Sequence, residues 1–179
     1  MNAHEIGEKR PSAGGRGLPG EHPYGDRGQI VCLVVFLAVW GLDSFVFKGT
    51  TGLAASVPLS VRLAAACLVL LVSVLLVAKA HRVISGDAFG GRGLVTDGAF
   101  GMVRHPLYAG SLFFYLGIAL STLSLASLAA WCLTAVFYDI IARYEESLLL
   151  ERYGEEYRQY RRRVPKWIPR ILPARLGSE

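Results

Sequence analysis

Two groups of polar residues in this apolar chain have the types and the spacing that chemistry requires. One is a glycine-bearing stretch that leads into the sequence Arg-His-Pro-Leu-Tyr at 104–108, and the other is the carboxylate pair Glu145 and Glu146. An imidazole and two carboxylates can hydrogen-bond a polar ligand or carry a proton. The backbone amides of a glycine-bearing loop can approach a ligand closely. We therefore take both groups as candidate functional residues.

Each of these residues also has an ordinary structural explanation when it is considered alone. Arg104 and His105 could simply flank a membrane span, and Pro106 could begin a helix, where its missing N–H costs nothing. The two glutamates could form a solvated helix face. The joint occurrence at one membrane face weakens these explanations, because ionisable groups at membrane depth are costly and indicate function.

The composition predicts a small multi-pass membrane protein. The chain has 179 residues, of which 53% are hydrophobic and 18% charged, whereas soluble domains are about 25% charged. A chain this short has too much surface to bury so much apolar material away from water. This excludes an ordinary soluble domain, a disordered chain and a disulfide scaffold. The cysteines lie singly in apolar runs, and no metal site is expected.

We predict an all-α bundle of about four transmembrane helices. The spans lie at roughly 30–47, 57–78, 103–121 and 125–143. The uncharged stretch 107–138 exceeds the about 20 residues of one span, and the sequence Ser-Thr-Leu-Ser at 121–124 predicts the turn within it. The glycine-rich residues 1–28 predict a disordered tail, so the membrane domain is expected to cover 29–179.

The chain changes character after the fourth span. Residues 144–163 mix glutamates and arginines with apolar residues at spacings of three to four, which predicts an amphipathic helix in the membrane interface. Pro165 is expected to end it, with Trp167 and Ile168 as an interfacial anchor. We expect Asp43, near the other end of the first span, to contact water at a helix end rather than to line a route through the bundle.

The distribution of basic residues predicts the topology. All but Lys48 and Arg62 of the 19 lysines and arginines lie in the tail, in the loop 79–104 or after Ala142. By the positive-inside rule, both termini and that loop face the cytoplasm, together with both candidate groups. The basic excess therefore indicates a lipid bilayer as partner, not a nucleic acid.

Four motifs carry a resemblance to a known family. They read Leu94-Val95-Thr96-x-Gly98, Arg104-His105-Pro106-x-Tyr108-x-Gly110, Glu145-Glu146-x-x-Leu149 and Gly154-Glu155-Glu156-Tyr157-x-x-Tyr160-x-x-x-Val164-Pro165. In this order and spacing, over about residues 79–170, the chain resembles the isoprenylcysteine carboxyl methyltransferases and the related membrane phospholipid N-methyltransferases. The Arg-His-Pro sequence alone also resembles one in membrane sterol reductases that use NADPH.

The resemblance implies an S-adenosylmethionine-dependent methyltransferase, with the methyl donor at the cytoplasmic face and a lipophilic or small acceptor. Phe100 stands where the family usually has tyrosine, so a ring is kept and a hydroxyl is lost. The cofactor contacts implied are Arg92, Gly93, Leu94, Val95, Phe100, His105, Pro106, Leu107, Tyr108 and Glu145.

The methyl acceptor stays open between a carboxylate, an amine and a thiol. Carboxyl methyltransferases have an arginine one helical turn before the first glutamate, where this chain has Ile141, and Arg143 is the nearest substitute. With an amine acceptor, Glu146 could accept the proton, so Arg143 and Glu146 are the candidate catalytic residues. The sequence is also compatible with a sterol-type NADPH reductase and with a non-catalytic membrane protein. Gly110 and Gly117 allow close helix packing, within the bundle or between chains, so the oligomeric state stays open.

Overall fold

The structure is a computed structural model that describes residues 25–85 and 93–170, and within these residues every regular element is helical. The helices are α1 (Gly25–Gly41, continued by a π-helical turn Leu42–Phe47), α2 (Leu59–Ile84), α3 (Pro106–Thr122) and α4 (Leu125–Arg163), with a 3₁₀ turn at Gly52–Ala55. Three segments, Arg27–Phe47, Leu59–Ile84 and Leu125–Arg163, are long and apolar enough to cross a membrane, and α3 is a shorter apolar helix. The predicted multi-pass membrane bundle is confirmed.

The helix bounds differ from the predicted spans at several places. The first helix begins at Gly25, inside the predicted tail, whose residues 1–24 lie outside the described part of the chain. The second extends past residue 78 to Ile84. The third begins at Pro106 rather than at 103, because a residue before proline avoids helical geometry, and His105 accordingly has φ −121° and ψ 70°.

The predicted fourth span and the predicted interfacial helix form one helix of 39 residues, α4. At 1.5 Å per residue this is about 58 Å, whereas the apolar part of a bilayer is about 30 Å thick. The helix therefore continues beyond the membrane, where it is interrupted at Gly154, whose φ of 53° and ψ of −119° are not helical. Positive φ is readily adopted by glycine alone.

Helices α2 and α3 form the closest contact in the bundle. A Cβ atom on Gly110 would lie 2.5 Å from a methyl group of Val77, and one on Gly117 would lie 2.7 Å from Leu70. Ser73 donates a hydrogen bond of 2.7 Å to the carbonyl oxygen of Gly110. The two glycines thus serve packing within one chain. The core on the other side of α3 is aromatic and contains Phe36, Tyr108, Tyr115 and Tyr138.

Asp43 lies near the end of the first span, as expected, but it is only 9% exposed, and protein donors bind its carboxylate. The carboxylate accepts hydrogen bonds of 2.6 Å from the hydroxyls of both Ser124 and Thr50, and one of 3.1 Å from the amide of Thr50. These donors compensate the burial of its charge. Asp43 therefore joins the α1–α2 connection to the turn between α3 and α4, which lies where the sequence predicts it.

Candidate active site

His105 lies immediately before α3 because Pro106 occupies the first position of that helix. The chain leading to it forms a turn, with hydrogen bonds from the amides of Met102 and Val103 to the carbonyl of Ala99, both 3.1 Å. The amide of Arg104 donates to the carbonyl of Pro165 at 2.9 Å. The residues before α3 are thus held against the chain that follows α4.

The two predicted polar groups meet at this position. His105 Nδ1 lies 3.6 Å from Glu145 Oε2, and His105 Nε2 lies 3.1 Å from Glu146 Oε1. His105 is only 8% exposed. Residues 40 and 41 positions apart in the chain therefore form one cluster, in which the residue before α3 supplies the imidazole and α4 supplies both carboxylates; His105 and Glu146 are buried, and Glu145 is half-buried.

Glu146 has a second strong partner in Arg104. The guanidinium donates to Glu146 Oε1 at 2.6 Å, so that one carboxylate oxygen accepts from both Arg104 and His105. Arg104 Nε is buried and has no hydrogen-bond partner among the described residues. The pair neutralises both buried charges and fixes one edge of the imidazole.

Tyr108 orients the other carboxylate. Its hydroxyl donates to Glu145 Oε1 at 2.5 Å, and its ring stacks on the His105 imidazole with centroids 5.8 Å apart and planes at 13°. The ring centroid of Tyr138 lies 5.3 Å from that of Tyr108. The cluster is thus continuous with the aromatic core of the bundle.

Burial lowers the pKa of His105, although the hydrogen bond and the charge of Glu146 act in the opposite direction. In a neutral ring, the contact with Glu146 requires the proton on Nε2, and this makes Nδ1 a hydrogen-bond acceptor. Nδ1 and Glu145 Oε2 lie 3.6 Å apart, so that one polar group of a ligand could contact both atoms.

The loop before His105 is held by the part of α4 that follows the kink. Leu94 packs against the buried cluster of Tyr157, Tyr160 and Val164, and the hydroxyl of Tyr160 donates to the carbonyl of Phe100 at 2.8 Å. The kink at Gly154 therefore has a direct consequence, because the residues after it reach this loop.

The other predicted cofactor contacts that the structure describes fall into two places. Pro106 and Tyr108 are buried at the beginning of α3, with Leu107 beside them on its more exposed side. The loop carries Gly93, Leu94, Val95 and Phe100, and a Cβ on Gly93 would have no neighbour within 4 Å. Arg92, the remaining predicted contact, lies outside the described residues.

The structure does not bring Arg143 to the cluster. Its side chain is 76% exposed and donates to Asp139 Oδ2 at 2.5 Å. Ile141, which stands where carboxyl methyltransferases have arginine, is buried in the aromatic core.

Asp139 and the inward position of Trp167 are not predicted by the sequence patterns. The indole N–H donates to Asp139 Oδ1 at 3.2 Å, and the Trp167 ring lies 6.0 Å from that of His105. Trp167 is thus half-buried, whereas Ile168 is exposed, as an anchor would be. One signal exists in the sequence, because Asp139 is the first charge after a long uncharged stretch.

Comparison with known proteins identifies the family. The phospholipid methyltransferase family matches residues 55–156. The protein-S-isoprenylcysteine O-methyltransferase of Schizosaccharomyces pombe is 40% identical over 84 residues, which are 44% of this chain and 34% of that protein. The cobalt-zinc-cadmium resistance protein CzcN of Cupriavidus metallidurans is 38% identical over 79 residues, covering 44% and 36%. Methanethiol S-methyltransferase 2 of Bradyrhizobium diazoefficiens is 32% identical over 91 residues, covering 50% and 34%.

These alignments span about a third of each relative's own length. The family match, in contrast, covers more than half of this chain and includes His105, both glutamates and Gly154. The all-helical membrane bundle and the shared motifs agree with it. The chain belongs to the phospholipid methyltransferase family.

Proposed function

We propose that this integral membrane protein is an S-adenosylmethionine-dependent methyltransferase that acts on a lipophilic or small acceptor. The observation that carries the proposal is the 3.6 Å approach of His105 Nδ1 to Glu145 Oε2, between two segments that the family motifs single out. The approach places a nitrogen and a carboxylate oxygen within reach of one ligand group, beside the aromatic ring of Tyr108.

The residues present suit the chemistry of S-adenosylmethionine. This molecule carries hydroxyl and ammonium groups that donate hydrogen bonds, a carboxylate and a sulfonium cation. His105 and Glu145 offer acceptors for its hydroxyl or ammonium groups, and the charge of Glu145 favours a cation. Arg104 Nε is a buried donor with no partner among the described residues, and it suits a carboxylate. The ring of Tyr108 suits the sulfonium, since aromatic faces attract cations. The loop at 93–95 supplies backbone amides.

The mechanism needs no nucleophilic side chain. When bound, S-adenosylmethionine supplies an electrophilic methyl group. The protein aligns the reacting partners, and alignment alone can lower a barrier by about 7–11 kcal/mol. Burial of His105 and Glu146 among aromatic residues excludes water, which strengthens the remaining electrostatic interactions.

The two glutamates have different parts in this proposal. Glu146 already accepts from Arg104 and His105, so we assign it the positioning of the imidazole instead of proton transfer. Glu145, beside Tyr108 and His105 Nδ1, is the better proton acceptor for an amine. Arg143 has no direct part, because its guanidinium is bound to Asp139.

Three further observations support an amine or a thiol as the acceptor. Of the described cations nearest the cluster, Lys166 is paired with Asp139, and Arg104 is paired with Glu146 and has only Nε left, which is assigned above to the carboxylate of S-adenosylmethionine. Ile141 offers no charge for a substrate carboxylate. One relative is named as a methanethiol S-methyltransferase, which fits a thiol.

The positive-inside rule supports a cytoplasmic position for the cluster, since Lys48 and Arg62 are at the opposite end of the bundle.

The test uses the full chain in membranes and in purified form. Membranes are incubated with S-adenosylmethionine labelled in the methyl group, and labelled products are identified by mass spectrometry. Calorimetry on the purified protein measures the affinity for S-adenosylmethionine and for NADPH. We expect His105→Ala and Glu145→Ala each to weaken donor binding by about tenfold or more, the effect of one charge-assisted hydrogen bond.

Glu155→Ala is the matched control, because Glu155 forms an exposed ion pair with Arg158 on the same helix. This control should bind the donor as the wild type does. Binding of NADPH in place of S-adenosylmethionine would reverse the proposal, and so would unchanged donor affinity in both His105→Ala and Glu145→Ala.

A further inference from the structure

Asp139 is a second polar centre near the cluster. It lies on α4 about two helical turns before the glutamates, at the end of the uncharged stretch. Its Oδ1 accepts from Lys166 Nζ at 2.5 Å and from Trp167 Nε1 at 3.2 Å, and its Oδ2 accepts from Arg143 at 2.5 Å. Three donors from two separate parts of the chain thus converge on one carboxylate, and two of these donors are cations.

Neutralising Asp139 would require only Arg143, which lies one turn along the same helix. That arginine is 76% exposed, whereas the side chain of Lys166 is only 16% exposed. Lys166 and Trp167 come from the chain after Pro165, beyond the end of α4. The buried half of the arrangement therefore tethers a distant segment to the helix.

This segment, residues 164–170, is here named the C-terminal strap. Its backbone is fixed at two points, by the bond from the Arg104 amide to the Pro165 carbonyl (2.9 Å) and by that from the Arg170 amide to the Met102 carbonyl (3.1 Å). Asp139 fixes the side chains between these points. The strap thus runs beside the residues that precede His105.

Trp167 connects the strap to the cluster. Its ring lies 6.0 Å from the His105 ring at an angle of 34°, and it packs against both core clusters beside α3, which include Val103 and Tyr108. The N–H bond to Asp139 fixes the rotation of the indole. Without that bond, packing alone would fix the orientation of the Trp167 ring beside the imidazole.

We propose that Asp139 is a positioning residue, which acts through Trp167 to hold the His105 imidazole in the orientation that faces Glu145 and Glu146. Its effect on donor binding rests on the proposed function, whereas its effect on the packing of His105 does not. The two effects are therefore measured separately.

The first measurement needs no ligand. Diethyl pyrocarbonate modifies neutral, accessible imidazoles, and peptide mass spectrometry reports the rate at His105, with the exposed His81 as internal reference. We expect Asp139→Ala, and to a smaller extent Trp167→Phe, to raise the rate at His105 by about tenfold relative to His81, as loss of a charge-assisted hydrogen bond implies. Glu155→Ala should leave the ratio unchanged.

The second measurement is donor affinity by calorimetry in the same variants. Asp139→Ala should weaken S-adenosylmethionine binding several-fold, and the double variant with Trp167→Phe should be no weaker than Asp139→Ala alone, because the two residues act in series. Asp139→Asn keeps the shape and an acceptor oxygen, and it should rescue most of the modification ratio and of the affinity. If Asp139→Ala fails to fold, Trp167→Phe decides by the same two readouts, and an unchanged modification rate at His105 in that variant overturns the positioning role.

The outcomes separate the two proposals. An unchanged modification rate at His105 in Asp139→Ala overturns the positioning role, as do strictly additive effects of Asp139→Ala and Trp167→Phe. If the wild type does not bind S-adenosylmethionine but the modification rates change as expected, the positioning role stands and the proposed function fails.

Discussion

Replacing Gly154 by alanine tests whether the kink in α4 keeps the last part of this helix against the loop before His105. Gly154 has φ 53° and ψ −119°, and a Cβ atom there would have no neighbour within 4 Å. The cost is therefore backbone strain alone, about 1–3 kcal/mol for a non-glycine residue in such a region. The variant can retain the kink at this cost in free energy, or it can straighten the helix and avoid the strain.

Straightening has its own cost, because the residues after the kink hold the loop. Tyr157 and Tyr160 would leave Leu94, and the bond from Tyr160 to the Phe100 carbonyl would break. We expect a lower unfolding midpoint in detergent, faster amide hydrogen exchange at residues 93–100 and weaker donor binding.

Gly41→Ala is the control for this substitution. Gly41 also has open space around its Cβ position but has helical angles, φ −65° and ψ −46°. In a helix, alanine is favoured over glycine by about 0.5–1 kcal/mol, so this variant should be more stable than the wild type. If Gly154→Ala is as stable as Gly41→Ala and exchanges normally at residues 93–100, the kink is not what holds the loop.

Three further outcomes are expected. Burial lowers the pKa of His105. The neutral ring and the affinity for S-adenosylmethionine should therefore persist above about pH 6.5, the ordinary pKa of histidine, and be lost as the pH falls through the lowered pKa. Calorimetry from pH 5 to 8 measures this dependence, and His105→Gln should flatten the profile. Glu146→Gln should cost about 3–5 kcal/mol of stability because it leaves Arg104 as an uncompensated buried charge, whereas Arg104→Met combined with Glu146→Leu should cost less in thermal unfolding. Gly117→Ala should destabilise by about 1–3 kcal/mol, since its Cβ would lie 2.7 Å from Leu70; a midpoint equal to that of Gly41→Ala would contradict the close packing of α2 on α3.

The sequence predicts those parts of the fold that depend on local composition. Four apolar segments, the turn at 121–124 and the proximity of the Arg-His-Pro sequence to the glutamates follow from hydropathy, charge and the family motifs. The continuity of α4 does not follow, because hydropathy changes at residue 143 while helix propensity does not. Composition distinguishes the apolar part of α4 from its charged part, but the helical backbone hydrogen bonds continue through both parts.

The burial of Asp43 and the strap contacts of Asp139 could not be predicted for a different reason. Each depends on a partner far along the chain: Ser124 for Asp43, and Lys166 with Trp167 for Asp139. A single acid in an apolar segment indicates that some partner exists, because an unpaired charge at that depth is costly. It does not indicate which donor, since that depends on how the helices pack.

The adjacency of Glu145 and Glu146 gives the cluster its particular form. Successive side chains on a helix point about 100° apart, since a turn has 3.6 residues, so two neighbouring carboxylates rarely serve one group. Here they contact the two different nitrogens of one imidazole, which requires the ring to lie over the helix between them. Pro106 provides that position, because it begins α3 one residue later and leaves His105 in non-helical geometry at the helix end. Arg104 then binds Glu146 within the protein, and the Nδ1 side, with Glu145 and Tyr108, is the face that we propose for the ligand.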